Sequence, residues 1–434
     1  MGPTRRIRDI AVPGDQRVVE MKRIVEGRAE KQNSGQSQSS RHFHRVRVVA
    51  QLHVVCVIFR HDYMRVALVH DWLNGMRGGE KVLESLLEIY PQATIFTLLH
   101  ERGKVSPRIE SHAIVTSWLN RVPGIYRHYR NFLPLFPLAV ESLDLRGFDL
   151  VISSSHAVAK GIRTQSAVHI CYCHTPMRYV WDAEDDYPLS PLRRAVFGLV
   201  RRRLQKWDCE AANRVDHFVA NSRFVRERIR EYYGRDAEVI PPPIDTRFFT
   251  PSNAVAREDF YLAVGALVPY KRFDIVVKAF NKLDRRLVIA GTGPELKSLR
   301  NMAGSNIDVR GWVANEELRS LYRRAQGLVF AAREDFGMVT VEAQACGCPA
   351  IAFGAGGSSE IIQDGMNGVL FSEQHPDDVI RAVRRFETMG WPAEQVRYRV
   401  ETFSREAFQT GIRKVIAERT GKKPERRSLA ARPA

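Results

Sequence analysis

The run Gly327-Leu328-Val329-Phe330-Ala331-Ala332-Arg333-Glu334-Asp335-Phe336-Gly337-Met338-Val339-Thr340-Val341-Glu342-Ala343 passes from an unbroken apolar stretch, through a short charged loop and a glycine, into a second apolar stretch. An apolar run without polar alternation is the pattern of a strand buried on both faces, as in a parallel sheet. If a helix begins near Gly337, its free N–H groups at Gly337, Met338 and Val339 make a site for a diphosphate. Glu334, in the loop, then reaches hydroxyls at one end of the ligand. Glu342, about a turn and a half into the helix, reaches hydroxyls at the other. Two glutamates at this spacing usually lie on a solvated surface, so the neighbouring segments decide whether the pair is functional.

Outward from this unit, the same strand-then-helix alternation recurs. Phe260 to Val264, Arg286 to Ala290, Asp308 to Arg310, Gly327 to Ala331 and Pro349 to Phe353 read as strands, with helical patterns at 272–283, 294–302, 315–325 and 338–346. Upstream, Val66 to Val69, Thr94 to Leu98, Leu150 to Ser153, Val168 to Cys171 and Val215 to Val219 read as strands, and Glu80 to Tyr90 as an amphipathic helix. Pro241-Pro242-Pro243 stops any regular element between the two series and forms a stiff connector. The predicted architecture is therefore α/β, with two facing Rossmann-like domains and an interdomain cleft at the carboxyl ends of both sheets. The expected boundaries are 64–241, 245–395 and a terminal helical segment 396–419 that packs back on the first domain.

The chain has 434 residues and a formal charge of +17. Residues 1–63 hold 12 Lys and Arg against 6 Asp and Glu, and residues 420–434 hold five against one, so ten of the seventeen charges lie at the ends. The first segment lacks sustained periodicity and contains the polar run Lys31 to Ser40. It is expected to be an over-extended translation or a disordered arm, with Met64 the natural start, and 420–434 a disordered basic tail. The stretch Val46 to Phe59 is interrupted by Arg47, Gln51 and His53, which is too short and polar for a membrane span. The six cysteines show no C-x-x-C spacing, so neither a zinc finger nor a disulfide framework is indicated, and a reducing cytoplasm is the default.

Other segments add chemistry. Gly354-Ala355-Gly356-Gly357 and Asp364-Gly365-Met366-Asn367-Gly368 read as phosphate or sugar cradles. Gly265-Ala266-Leu267-Val268-Pro269-Tyr270-Lys271-Arg272 follows the first strand of the second domain and brings Lys271 and Arg272 to the cleft, where two cations suit a leaving diphosphate.

With these motifs, the span from Met64 to about residue 415 resembles the retaining glycosyltransferases of family 4, which have the GT-B fold. Leu68-Val69-His70-Asp71-Trp72-Leu73, Gly78-Gly79-Glu80-Lys81-Val82-Leu83-Glu84, Ser153 to Gly161 and Cys173-His174-Thr175-Pro176-Met177-Arg178-Tyr179 look like a bacterial subgroup of GDP-mannose-dependent mannosyltransferases of O-antigen and exopolysaccharide assembly. The resemblance implies that Glu334 contacts the donor sugar and Glu342 the ribose. It implies that backbone at Phe336, Gly337 and Met338 meets sugar and diphosphate, and that Lys271 binds phosphate. The arginine that many members carry five residues before that lysine is replaced by Ala266, with Arg272 as a secondary candidate. Gly311 and Val313 match the region that receives the nucleobase. Gly78, Gly79 and Glu80 would close over the donor phosphate or shape the acceptor site, with a plain helix N-terminus as the alternative. His174 would contact the donor sugar, and His70 and His156 are weaker candidates.

The family's retaining chemistry is commonly assigned to attack on the face from which the diphosphate departs, which calls for leaving-group stabilisation by Lys271 and the helix N-terminus. Asp185 and Asp186 are adjacent rather than spaced and read as loop, so no cofactor and no essential metal is expected. The implied substrates are a nucleotide-sugar donor and a lipid-linked or oligosaccharide acceptor. The basic-aromatic segments Pro191 to Trp207 and Tyr126 to Phe136 suit an anionic membrane surface, with packing against their own domain as the alternative. The expected location is the cytoplasm, peripheral on the inner face of the cytoplasmic membrane. Competing readings are transfer from a UDP-sugar, a nucleotide-sugar epimerase of the same fold, and a nucleic-acid-binding protein suggested by charge alone. The last lacks any recognised nucleic-acid module.

Overall fold

The structure, a computed structural model, describes residues 64–182, 191–252 and 254–421, with side chains left out for 191–197 and 199. Arg65 onward belongs to one compact unit containing two parallel sheets. The first has seven strands in the order β3-β2-β1-β4-β5-β6-β7: β1 Val66–His70, β2 Thr94–Thr97, β3 Ile114–Thr116, β4 Leu150–Ser155, β5 Val168–Cys173, β6 His217–Ala220 and β7 Ala237–Val239. The second has six in the order β10-β9-β8-β11-β12-β13: β8 Tyr261–Val264, β9 Leu287–Ala290, β10 Ile307–Gly311, β11 Leu328–Phe330, β12 Ala350–Phe353 and β13 Gly368–Phe371. The central strands β1, β4, β8 and β9 are buried along their whole length, which is why they read as continuous apolar runs.

In each sheet the chain builds outward for three strands, returns to the middle, and builds outward on the other side. The reversal lies between β1 and β4 in the first sheet and between β8 and β11 in the second. Loops leaving these four strands diverge there and leave a crevice for ligands. The main helices are α1 Gly78–Ile89, α2 Pro191–Asn213, α3 Arg223–Tyr233, α4 Phe273–Phe280, α5 Leu296–Met302, α6 Asn315–Arg324, α7 Met338–Ala345, α8 Pro376–Glu387 and α9 Arg405–Thr420. Helix α9 returns to the first sheet. Phe408 meets the ring of Tyr172 on β5 with centroids 5.5 Å apart, and Arg405 pairs with Glu88 of α1 at 2.6 Å. The chain crosses between the sheets twice at one place, where the Ile244 N–H donates to the Phe403 carbonyl at 2.9 Å.

Three strands, β3, β7 and β13, were absent from the sequence reading. All lie at sheet edges, where β3 and β7 are only partly buried and lack the continuous apolar run of the central strands. Two glycine segments also differ from expectation. Asp364 accepts from the Leu370 N–H and Asn367 from the Gln363 N–H, so 364–368 is a turn that launches β13 and shows no cradle geometry. Gly356 and Gly357 lie against the backbone of Glu334 and Phe336, where an added Cβ would come within 2.4 Å and 2.3 Å of main-chain atoms. Their small size lets this loop pack on the Glu334 loop, with the Gly357 N–H donating to the Glu334 carbonyl at 2.7 Å. Residues 1–63 and 422–434, and the loop containing Asp185 and Asp186, lie outside the described residues.

Candidate active site

The loops after β8 and β11 place Lys271 and Glu334 side by side. Their Nζ and Oε1 atoms are 2.7 Å apart and both side chains are largely buried. Burial alone would lower the ammonium pKa, but the charge of Glu334 and the influence of Tyr270 raise it above the ordinary lysine value, so Lys271 keeps its charge. Gly265 (φ +152°) makes room for the lysine, since a Cβ there would stand 3.2 Å from Nζ. Gly337, at φ +98°, turns the chain into α7, whose first residue is Met338. In this first turn the Thr340 N–H donates to the Gly337 carbonyl at 3.0 Å, and the N–H groups of Met338 and Val339 precede the first residue able to make an i to i−4 bond within the helix. Phe336 is buried in the second-domain core, with Met338 and Val313 packed against the same cluster. Gly311, at φ +95°, ends β10 on the far edge of that sheet and accepts from the Gly291 N–H.

Glu342 is buried in α7 and accepts from Lys81 Nζ at 2.8 Å and from the Tyr322 hydroxyl at 3.4 Å. Lys81 comes from α1 of the first domain and was not singled out in the sequence. Arg272 does not join Lys271 and Glu334. It sits at φ +55°, pairs with Asp274 of α4 at 3.1 Å, and lines a cavity of about 630 Å³ with Arg178, Tyr270 and Glu295.

On the first sheet, Gly78 and Gly79 open α1 and press against both domains. A Cβ on Gly78 would lie 2.8 Å from Met338 Sδ, and one on Gly79 3.1 Å from His70 Cε1 and 3.7 Å from His174 Nε2. Glu80 closes a capping box by accepting from the Arg77 N–H at 2.9 Å, the helix-terminus alternative, yet it is also buried with Oε1 3.7 Å from His70 Nε2. Burial by itself would raise the Glu80 pKa, but His70 and Arg77 hold it below the ordinary glutamate value. Ser154, next to last in β4, lies between two histidines, 3.1 Å from His70 Nδ1 and 2.8 Å from His174 Nε2. Burial, with the charges of His156 and His70, pushes the His174 pKa down to about 3, so its ring is neutral near pH 7.

Asp71 is fully buried after β1. Its carboxylate accepts from the N–H groups of His156, Ala157, Val158 and Ala159 at 2.6–3.1 Å and pairs with His156 Nδ1 at 2.9 Å. Burial opposes ionisation, but the charge and hydrogen bonds of His156 hold this group far below the usual carboxylate range. His156 is raised in return, because the Asp71 charge outweighs the burial that would lower it.

Asp335, the residue between Glu334 and Phe336, clasps the two domains. Its carboxylate meets Arg178 at 2.6 Å, Arg228 at 2.8 Å and the Thr175 hydroxyl at 3.1 Å, and its carbonyl accepts from Ser222 at 2.6 Å. Arg178 also lies over the Tyr270 ring at 4.5 Å. Sequence spacing carries no signal for these pairings, because Thr175, Arg178 and Arg228 are more than 100 residues from their partner.

The comparisons agree with this architecture. Residues 76–248 match the family described as Glycosyltransferase Family 4, and residues 245–403 match Glycosyl transferases group 1. An uncharacterized glycosyltransferase of Methanocaldococcus jannaschii is 30% identical over 48% of this chain and 61% of its own length. A D-inositol 3-phosphate glycosyltransferase of Nocardiopsis dassonvillei is 30% identical over 41% and 48%. A GDP-mannose-dependent alpha-(1-6)-phosphatidylinositol monomannoside mannosyltransferase of Mycolicibacterium smegmatis is 32% identical over 39% and 54%. The chain thus spans about half to three fifths of the length of these relatives. Among solved structures, Anabaena HepE in complex with UDP and glucose superposes with a TM-score of 0.63 at 17% identity, over 82% of this chain and all of that one. With two adjoining matches that together run from residue 76 to 403, and two doubly wound sheets in the GT-B arrangement, the chain belongs to the family 4, group 1 glycosyltransferases.

Proposed function

We propose that the protein is a retaining glycosyltransferase that moves a hexose, with mannose from GDP-mannose as the first choice, to a lipid-linked glycan acceptor in cell-surface polysaccharide synthesis. The observation that carries this reading is the Lys271–Glu334 ion pair beside the N-terminus of α7. An incoming diphosphate replaces Glu334 as the partner of Lys271 and takes the free N–H groups of the helix. Glu334 is then released to accept from hydroxyls of the donor sugar, and Glu342 exchanges Lys81 for the ribose. As the anomeric C–O bond to phosphate breaks, negative charge develops where Lys271 and α7 stand, and this is the charge they stabilise. The acceptor oxygen bonds to the anomeric carbon on the same face, and its proton passes to the departing phosphate oxygen. No strong base is required, and no metal is assigned a role; activity that EDTA abolishes and Mg²⁺ restores is the outcome against this.

The mannose choice rests on the first-domain motifs and on the mannosyltransferase relative. Hydrolysis of a panel of GDP- and UDP-sugars without acceptor tests it. GDP-mannose should be turned over fastest; preference for a UDP-sugar reassigns the nucleotide, and an epimerised donor replaces transfer with isomerisation. Glu334→Gln should lower kcat by about 10²- to 10³-fold while leaving affinity for the free nucleotide diphosphate unchanged. An equal loss in both would place Glu334 in structure instead of chemistry.

The protein is further proposed to act in the cytoplasm at the inner membrane face. Among the described residues no helix is long and apolar enough to cross a membrane. In α2, Leu204 is buried and Val200 and Trp207 pack into the first-domain core, so these apolar residues are unavailable to lipid, whereas Arg202, Arg203 and Lys206 are exposed. In the second segment Tyr129 and Phe136 are likewise buried against Trp72, leaving Leu135 and the neighbouring Leu138 outside. Flotation with anionic liposomes should fall when Arg202, Arg203 and Lys206 become Glu. Unchanged flotation removes α2 from the membrane account.

A further inference from the structure

We infer that Glu80, His70 and Ser154 form a proton-orienting relay that holds His174 as one tautomer, with the proton on Nε2 and the lone pair on Nδ1. The heavy atoms lie in a chain: Glu80 Oε1 is 3.7 Å from His70 Nε2, His70 Nδ1 is 3.1 Å from Ser154 Oγ, and Ser154 Oγ is 2.8 Å from His174 Nε2. His70 Nε2 is buried and has no hydrogen-bond partner among the described residues, so the nearest acceptor it faces is the Glu80 carboxylate.

A neutral imidazole has one donor and one acceptor nitrogen. A carboxylate opposite Nε2 favours the proton there, because a lone pair facing the anion is repelled. With His70 as the neutral imidazole, its Nδ1 is then an acceptor and takes the Ser154 hydroxyl proton, whereas an imidazolium would donate there and reverse the chain. The serine oxygen is left to accept, and the group it can accept from is His174 Nε2–H. Reversing the chain would leave a lone pair on His70 Nε2 aimed at Glu80. The direction of two hydrogen bonds is thus decided by one buried charge at the start of α1, which gives Glu80 a use beyond capping the helix.

His174 Nδ1 has no hydrogen bond among the described residues, and the side chain is only half-buried. Gly79 lies against both imidazoles, and its neighbour Gly78 lies against Met338 of α7, so the relay runs beneath the loop that touches the donor side of the cleft. A bare Nδ1 there selects a ligand group that donates, such as a sugar hydroxyl, and rejects a carbonyl or phosphate oxygen. This use of the tautomer rests on the glycosyl-transfer reading; the tautomer itself does not. Glu80, His70 and Ser154 are positioning residues, since they act through His174.

The test is long-range ¹H–¹⁵N correlation of the histidine-labelled full chain without substrate, near pH 8, about 1.5 units above the ordinary histidine pKa. The His174 signals are assigned by their loss in His174→Gln. The wild type should show protonated Nε2 and bare Nδ1, and both Ser154→Ala and Glu80→Gln should populate the other tautomer. Glu80→Gln keeps an oxygen for the Arg77 N–H, so it decides the matter if Ser154→Ala fails to fold. A wild-type proton on Nδ1, or a tautomer ratio that Glu80→Gln leaves unchanged, overturns the relay. In donor hydrolysis, both variants should lose about tenfold or more in kcat with donor KM little changed. A wild type that turns over no nucleotide-sugar while its His174 proton sits on Nε2 overturns the glycosyl-transfer reading and leaves the relay standing.

Discussion

A buried histidine, His169, and a half-buried one, His174, give the molecule a defined acid response. Burial and the charge of Arg214 push His169 down to about 3, as burial and its histidine neighbours do for His174. A histidine whose folded pKa is depressed binds its proton more readily when unfolded. Its contribution therefore falls as pH drops from the ordinary value near 6.5 towards 3, by about 1.4 kcal/mol per pH unit for each group. His156 is raised and works in the opposite sense, its contribution present at low pH and lost as pH rises through the folded value. Denaturant unfolding at pH 7 and pH 5 should show a smaller acid loss in His169→Gln than in the wild type, by up to about 2 kcal/mol. An identical loss would mean that His169 is not buried neutral. Of these residues, His174 and His156 were visible in the sequence as loop histidines within recognisable motifs. His169 was not, because a histidine inside an apolar strand carries no local mark of its burial.

At the scale of elements, α2 is tied to the first sheet by a buried ion pair. Lys160 Nζ meets Asp208 Oδ1 at 2.5 Å, and the same carboxylate accepts from Trp181 Nε1 and the Tyr233 hydroxyl. Against burial, the charge of Asp208 keeps the lysine raised above its ordinary value. Removing one partner leaves an uncompensated buried charge, so Lys160→Met should destabilise the protein by about 3–5 kcal/mol. The double variant Lys160→Met with Asp208→Leu should recover part of that loss. Urea unfolding of both decides, and a single variant costing less than about 1 kcal/mol would show the pair to be solvent-screened. Helical and central-strand placement was legible within a few residues: the expected helix at 338–346 is Met338–Ala345, and 315–325 is Asn315–Arg324. The glycine segments after β12 were not, since the same residue type serves a phosphate cradle or a close backbone approach. Only the neighbouring chain at Glu334 and Phe336 distinguishes them.

At the scale of the molecule, the two domains are held together by Asp335 with Arg178, Arg228, Thr175 and Ser222, and by Lys81 with Glu342. Both contacts use residues next to, or within, the proposed donor site, so domain closure and donor binding share one set of groups. Asp335→Ala should enlarge the radius of gyration in X-ray solution scattering. It should also lower kcat/KM by about 10²-fold, because a small misplacement of the first domain moves His174 from the proposed donor site. Unchanged scattering and activity would show the clasp to be incidental.

The sequence by itself determined the two-domain α/β organisation and the placement of Lys271 and Glu334 in loops after strands and of Glu342 in a helix, because apolar periodicity and a glycine at a strand-to-helix turn are local patterns. The tertiary structure decided which charges meet across the cleft. It turned Arg272 towards Asp274, set Lys81 on Glu342, closed Asp335 between two arginines and put Ser154 between His70 and His174. The physical reason is range. Propensity and periodicity act over a few residues along the chain, whereas ion pairing and hydrogen bonding depend on distance in space, which only the packing of the two sheets establishes.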